Sequence, residues 1–594
     1  MIVIDFETYP ITPGNIVPRP VCLAVATYSS STVTYAPGVP DEWWIDVLRE
    51  ETIVGWNIAF DMACLAYARP HLFPAIFQAY REGRIICAML AEQLIDIASG
   101  TYGYNRRADG GYSLDAVGQR RGLGGKHHDE WKLRYGELDA VPFDQWPVDA
   151  KEYPRRDVEL TREIRARQLA EAPQYLADEV RKSRAWFALY LASARGMVTD
   201  SARIDVLEKR KRELIAFLEH DLQSAGLVRP DGTRNVKAVA ARVTEAYRRD
   251  GRTVPMATKA AKTDALTCEE SGDLLLYKYA QLSSEKTFVS NFIPTLRTGI
   301  VQPRYTIAES GRALSGGPNT QNFPRKGGVR ECFIPRPGYL YGQADYGQLE
   351  LHTLAQVCYD LFGRSALGDM LNRGQDAHRA IAASLLHLSY DDVKAHPQYD
   401  AARQSGKVAN FGYPGGLGHK RFCDFALAQY GVRVTEGESR QLKAVWLSNL
   451  PEMTDYFAFI ATITDRQLPI TQLRSYRVRG GVGYTDACNT LFQGLGADVA
   501  LDALFDVSER CYCDHSSPLY GSHPVNFIHD EIIIESPEEY GAEAAEEMSR
   551  LMAEAGKRWL PSLNIKAPPT LSRRWSKATE EIRDEKGRLL AWDK

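Results

Sequence analysis

With 594 residues the chain exceeds one domain, and three or four units are expected at ordinary domain size. An apolar share of 44% and a charged share of 25% describe a globular protein, and no apolar run approaches the length of a membrane span. The net charge of −4 is no nucleic-acid signature by itself, and the opening "MIVIDFETYP" is too short and too quickly acidic for a signal peptide, so a cytoplasmic chain is expected.

Residues 1–60 read as strands: "MIVIDFET", "VCLAVATYS" and "STVTYAP" alternate or run apolar between turn residues. Helical stretches dominate from 56 to 175, "YSLDAVGQRRGLGG" and "YPRRDVELTREIRARQLAE" being the clearest, which together predicts an α/β unit. Residues 178–300 are helix-rich and charged, in the manner of a long antiparallel helical arm. Strand patterns return around 300–360 in "GYLYGQADYGQLELHTLAQ", 361–474 are helical, and 475–594 mix both, with "VNFIHDEIIIES" as a hairpin. This order predicts a sheet domain split by a helical insertion. Basic runs stand at 208–213 ("EKRKRE"), 247–252 ("YRRDGR") and 324–330 ("PRKGGVR"); a solvated helix face is the plain alternative for each. The ten cysteines lack zinc-ligand spacing and are read as reduced thiols.

Six short stretches carry chemistry. In "VIDFET", Asp5 and Glu7 are two apart on a strand and share a face, an unfavourable pairing unless a divalent cation compensates. "GWNIAFD" puts Asn57 and Asp61 at helical spacing, and "YPRRD" puts Tyr153 and Asp157 four apart, although Pro154 disfavours helical geometry at Tyr153. In "ADYGQLELH" (344–352), Asp345 ends an apolar approach, and Gln348 and Glu350 alternate along the residues after it. "FIHDEIII" (527–534) sets His529, Asp530 and Glu531 at a hairpin turn. Between them, "RQSGKVANFGYPGG" (403–416) aligns Arg403, Lys407 and Phe411 on one helix face, as a phosphate chain with a ring beside it requires, then breaks at Pro414.

The first set, Asp5, Glu7, Asp61, Tyr153 and Asp157, resembles the DEDD exonucleases of the subgroup that carries tyrosine. That resemblance implies an RNase H-like fold, two divalent metals held by the four carboxylates, and a water oriented by Tyr153. "YSLDAVGQRRGLG" (112–124) resembles the helix after that family's second motif. The second set resembles family-A DNA polymerases, the bacterial DNA polymerase I class: Asp345 to Leu351 as motif A, Arg403, Lys407, Phe411 and Gly412 as motif B, and His529, Asp530 and Glu531 as motif C. "SGRALSGGPNTQNFP" (310–324) resembles the segment contacting primer and template, "GQDAHRAIA" (374–382) the fingers segment with His378, and "NTLFQGLGADVA" (489–500) the helix whose Asn489 and Gln493 touch the growing pair.

The resemblance implies an α/β multidomain chain, an RNase H-like exonuclease domain followed by a right-hand polymerase. The expected divisions are exonuclease 1–177, connection 178–202, thumb 203–300, first part of the palm 301–360, fingers 361–474, and 475–594 for the rest of the palm and the tail. Asp345 and Asp530 would hold two Mg²⁺, with Mn²⁺ a substitute, and Glu531 would support them. His378, Arg403 and Lys407 would clamp the triphosphate. Phe411 would stack beside sugar and base, with Gln348 adjoining, and Glu350 would exclude a ribose hydroxyl. Arg312, Asn319, Gln321, Asn322, Asn489, Gln493 and His529 would contact DNA, and the basic runs at 208–213 and 247–262 would grip duplex phosphates.

The implied activity is templated DNA synthesis with 3′–5′ proofreading. Its partners would be primer-template DNA and dNTPs, with a phage helicase or primase as further candidates and no membrane. The arm leaves no room for a thioredoxin-type thumb insertion, and a monomer is expected. The chain starts at the exonuclease, without a 5′-nuclease domain, which points to a phage replicase in the host cytoplasm. A nuclease lacking polymerase activity would have lost Asp345 or Asp530. A single-subunit RNA polymerase is disfavoured by Glu350 and the DEDD set, and a non-enzymatic clamp needs no second carboxylate set. Relatives place Tyr four residues beyond Phe411; Gly415 stands there, predicting a looser template-side wall unless another aromatic compensates.

Overall fold

The computed structural model describes residues 1–125, 129–251 and 265–593. Of the basic stretch expected to grip DNA at 247–262, the part from 252 onward lies outside the described residues.

The first unit is built on a five-stranded sheet in the spatial order Ser31–Tyr35, Pro20–Ala26, Ile2–Thr8, Ile53–Gly55, Ile85–Cys87. The first three strands pair antiparallel, and the last two join parallel. Two expectations for this unit change. Residues 41–50 form a helix rather than strand, because Trp44, Val47 and Leu48 fall at helical spacing and bury one face while Asp41 and Glu42 favour its N-terminus.

The second change concerns Pro154, which lies inside a continuous helix, Val148–Glu171, so Tyr153 and Asp157 do share a helix face. A proline there deprives the carbonyl of Ala150 of its helical N–H. The hydroxyl of Tyr135, fully buried, donates to that carbonyl at 2.9 Å and restores the lost partner.

The helix Glu179–Arg195 leads into the arm, whose helices Ser201–Ser224 and Leu274–Leu296 run antiparallel. Their ion pairs show the direction: Arg297 meets Asp205 and Glu208, Lys211 meets Glu285, and Lys278 meets Asp221. Two cations of the 208–213 run, Lys211 and Arg212, therefore have carboxylate partners within the arm.

The main sheet has six strands in the order His523–Ile528, Glu531–Pro537, Tyr339–Asp345, Pro569–Ser572, Leu589–Trp592, Ile582–Arg583. A helical block separates Tyr339–Asp345 from the rest, as the split-domain reading expects. After Asp345 the chain does not continue as strand. Gln348 adopts a left-handed conformation (φ 55°) at the start of the helix Leu349–Phe362, so Gln348 and Glu350 do not alternate across a strand. The 30-residue helix Tyr484–Cys513 is mostly buried and packs against the helices Gly541–Trp559, Leu349–Phe362 and Glu179–Arg195. All ten cysteines are free thiols. No helix among the described residues is long and apolar enough to cross a membrane.

Candidate functional site

The main site forms where three chain segments meet at one end of the six-stranded sheet. Asp345 is the last residue of its strand and pairs in register with Glu531, the first residue of the neighbouring strand. That strand is reached by a two-residue turn, His529 and Asp530, with His529 left-handed at φ 60°. Ile528 and Glu531 close the turn, so its geometry carries Asp530 to the side chain of Asp345, and the two carboxyls hydrogen-bond. A cavity of about 440 Å³ opens over them, lined by Arg312, Gln348, Glu350, Phe411, His529 and Asp530 among others.

Electrostatics explain what this place lacks. Desolvation, then the charges of Asp345 and Glu350, push the Asp530 carboxyl up to about 8. Desolvation and Asp345 push Glu531 up to about 7. Asp345 keeps solvent contact, yet the protein crowded around it raises its carboxyl too, with Lys577 and Arg325 opposing. Desolvation lowers His529, helped by Arg312 and Arg325. Three crowded carboxyls short of positive charge are hard oxygen donors that fit a divalent cation such as Mg²⁺ or Mn²⁺. Lys577, Arg325 and Arg330 act on these groups and were not singled out from sequence. Arg325 and Arg330 belong to the basic run at 324–330, but nothing in the tail signals Lys577.

The helix Tyr399–Gly412 carries Arg403, Lys407 and Phe411, and Phe411 reaches the cavity. Arg403 is ion-paired with Asp376 at 2.7 Å, and Asp376 also caps the helix Ala377–Leu385 by accepting the N–H groups of His378 and Arg379. Lys407 lies 5.8 Å from the ring centroid of Tyr430. His378 is 3% exposed, and its Nδ1 contacts the amide nitrogen of Asn410 at 2.9 Å, while the Asn410 oxygen accepts from Trp446. Burial, opposed by Asp376 and aided by Arg403 and Lys407, lowers His378 to about 4, so it is neutral at pH 7. Only its other ring nitrogen remains to meet a ligand. Asp376 and Asn410, which orient these groups, are missed by sequence reasoning because both read as ordinary helix residues.

Among the expected DNA contacts, Asn319 and Asn322 are exposed, but Gln321 is not. It is 7% exposed, accepts from the Ser315 N–H at 3.1 Å and donates to the Ala313 carbonyl at 3.0 Å. Its polar groups hold the strand Ala313–Gly316 rather than facing solvent. Arg312 ion-pairs with Glu350. Asn489 donates to the Thr485 carbonyl and accepts from Gln493, so the two occupy one patch of the long helix.

The break after Phe411 is real: a 3₁₀ turn, Tyr413–Gly415, follows the helix, and Gly416 is left-handed at φ 72°. Side chains of the long helix stand against both glycines. A Cβ on Gly415 would come within 2.9 Å of the Asn489 amide, and one on Gly416 within 2.7 Å of the Tyr484 ring. Tyr413 is fully buried, stacked on Phe422 with centroids 4.1 Å apart, and faces the core.

A second site lies on the five-stranded sheet. Asp5, Glu7 and Asp157 each offer an oxygen within 4.8 Å of the others, again a donor set that fits a divalent cation. Asp61, 2% exposed on the helix Ile58–Ala68, accepts from the Phe6 N–H at 2.9 Å, and stands outside that group of three. Burial and then the charge of Asp5 raise its carboxyl. Asn57 is left-handed (φ 60°) ahead of that helix, so it and Asp61 do not share the regular helical spacing expected. Tyr153 is buried in the helix one turn before Asp157.

The family model for DNA polymerase family A matches residues 245–577. DNA polymerase I of Geobacillus stearothermophilus is 29% identical over 285 residues, covering 44% of this chain and 30% of the relative. DNA polymerase I of Aquifex aeolicus is 26% identical over 290 residues, covering 48% of this chain and 47% of the relative. These matches span between about a third and a half of the curated relatives. A solved structure described as the "POL domain of Pol1 from M. smegmatis complex with DNA primer-template and dNTP" superposes with a TM-score of 0.70 at 17% identity, covering 97% of this chain and 95% of that one. That likeness supports the expected multidomain α/β polymerase fold across nearly the whole chain.

Proposed function

Since the chain belongs to DNA polymerase family A, we propose that it extends a DNA primer on a template with deoxynucleoside triphosphates, and that its N-terminal unit removes nucleotides from the 3′ end. The observation that carries the first activity is the contact between Asp345 and Asp530 under a cavity that also receives Phe411 and Glu350. In this reading Asp345 and Asp530 hold two Mg²⁺ ions, with Glu531 in support. When bound, the metals lower the pKa of the primer hydroxyl and stabilise charge on the departing pyrophosphate. Lys407 faces the triphosphate, while Arg403, neutralised by Asp376, lines the same helix face beside it. His378, neutral, offers one hydrogen bond rather than charge. Phe411 packs beside the sugar, and Glu350, steadied by Arg312, closes the space a 2′-hydroxyl would need.

The exonuclease reading rests on Asp5, Glu7 and Asp157, with Asp61 behind Asp5 and Tyr153 one turn from Asp157. Primer extension and 3′-end degradation on one labelled duplex test both activities. Asp345→Ala or Asp530→Ala should abolish extension and leave degradation. Asp5→Ala with Glu7→Ala should do the reverse. Loss of both activities in either folded variant, or neither activity in the wild type with Mg²⁺ or Mn²⁺, would overturn the two-site assignment.

A further inference from the structure

Four charged residues to which the sequence reading gave no role meet in the interior between the two units. Asp178 is 0% exposed, Lys182 2%, and Arg477 and Asp498 4% each. The Lys182 ammonium lies 2.9 Å from Asp498, and the Arg477 guanidinium bridges Asp498, at 2.8 Å, and Asp178. The two fully buried cations are matched by two buried anions, and the partly exposed Arg181 also pairs with Asp178 at 2.8 Å, so the burial is tolerable.

What sets it apart from plain packing is where the remaining donors go. Lys182 donates to the carbonyl of Gly311 at 3.1 Å, and Arg477 donates to the carbonyl of Ser310 at 3.0 Å. These are consecutive carbonyls at the tip of the hairpin formed by Arg304–Ile307 and Ala313–Gly316. The next residue is Arg312, whose side chain pairs with Glu350 at the cavity. Gly311 has φ +86°, and a Cβ there would sit 2.3 Å from the Arg477 guanidinium carbon, so the tip and the cation approach as closely as backbone allows.

We propose that Lys182, Arg477, Asp178 and Asp498 form a buried clamp on the 308–312 hairpin tip that aims Arg312 at Glu350, making Lys182 and Arg477 positioning residues for sugar selection. The inference rests on the proposed function, in which Glu350 faces the nucleotide sugar. The clamp draws on three distant parts of the chain: Lys182 from the helix that follows the N-terminal unit, Arg477 from the segment before the long helix, and Asp498 from that helix itself. Freed from it, the tip moves, Arg312 no longer fixes the Glu350 carboxylate, and the space for a 2′-hydroxyl is less strictly closed.

The test compares incorporation of each rNTP with its dNTP by wild type, Lys182→Met, Arg312→Ala and the double variant, alongside hydrogen exchange over 304–316. Lys182→Met should reduce discrimination against ribonucleotides about tenfold, the size expected for one lost charge-assisted hydrogen bond. It should add nothing in the Arg312→Ala background. Exchange at the tip amides should rise about tenfold as local opening becomes easier. Arg165→Met, which breaks the buried Arg165–Glu179 pair close by in the chain, controls for lost stability and should leave the discrimination ratio unchanged. If Lys182→Met does not fold, Gly311→Ala strains the same contact and takes its place.

Multiplying effects of Lys182→Met and Arg312→Ala would overturn the clamp as a positioning device, as would unchanged tip exchange. An equal loss of discrimination in Arg165→Met would reduce it to general stability. If the wild type extends no primer, the proposed function and the sugar-selection role fall together, while exchange still reads the clamp.

Discussion

In the metal-free protein Asp530 is pushed up to about 8 by desolvation and by Asp345 beside it, so a divalent cation must displace a proton to bind there. A carboxyl with that value is about nine-tenths protonated at pH 7 and about one-tenth at pH 9. Cation binding at pH 7 should therefore release close to one proton from this group, and at pH 9 almost none. Displacing it costs about 1.4 kcal/mol for each pH unit below 8, so affinity should rise about tenfold per unit up to about pH 8 and then flatten. Glu531, at about 7, steepens the lower part in the same direction.

Calorimetric titration of Mn²⁺ in two buffers of different ionisation enthalpy measures the released proton. An Asp5→Ala, Glu7→Ala background removes the first carboxylate set. The apparent enthalpies should differ at pH 7 by about one proton's worth of buffer ionisation and converge at pH 9. Asp530→Asn should remove most of the difference. Equal enthalpies in both buffers at pH 7, with binding detected, would show that Asp530 is already ionised and refute the argument from desolvation.

The same linkage has a sign for stability: a folded-state value above the unfolded one means the folded protein holds the proton longer, so metal-free stability should fall as pH rises from about 4 to 8. Asp530→Asn should flatten that decline in thermal melts across this range, and an unchanged slope would count against it. Tyr135→Phe should leave the Ala150 carbonyl unpaired at the turn before Pro154, costing about 1–3 kcal/mol and slowing 3′-end degradation more than extension; equal melting temperatures would refute the repair role of Tyr135. Gly415→Tyr should disrupt the Asn489 contact and impair extension with correct nucleotides, rather than tighten a loose wall; full extension by that variant would show that the site has room. Phe411→Tyr should ease dideoxynucleotide incorporation, and identical incorporation would remove Phe411 from the sugar's side.

Much of the site was legible because its parts are local. Asp345 at a strand end, and Asp530 in a two-residue turn between apolar strands, follow from short-range pattern. The face shared by Arg403, Lys407 and Phe411 follows from helical period alone. The parts that were not legible depend on partners far away in the chain. Pro154 argues locally against a continuous helix, and only Tyr135, folded back onto Ala150, overrides it. Gln321 looks like an exposed polar residue in a loop, yet Ala313 and Ser315 draw it inward. Lys577 influences Asp345 from more than two hundred residues away, and no periodicity announces it.

The stretch 403–416 shows how both kinds of information combine. Its two cations are tolerated one turn apart because Arg403 is neutralised by Asp376, while Lys407 lies beside the ring of Tyr430. Among the described residues no carboxylate lies within ion-pair distance of Lys407, so of the two it is the cation left to meet an anionic ligand. Pro414 then ends the helix, as its missing N–H requires, and the 3₁₀ turn sends Tyr413 into the core against Phe422, where its hydroxyl donates to the Ser439 carbonyl at 2.9 Å. That anchor fixes the end of the cation-bearing helix from behind. The absence of side chains at Gly415 and Gly416 lets the long helix approach until Asn489 and Tyr484 touch the turn. The break that resembles a loosened wall is thus a close-packed joint, and it ties Phe411 and Lys407 to the helix bearing Asn489, Gln493 and Asp498.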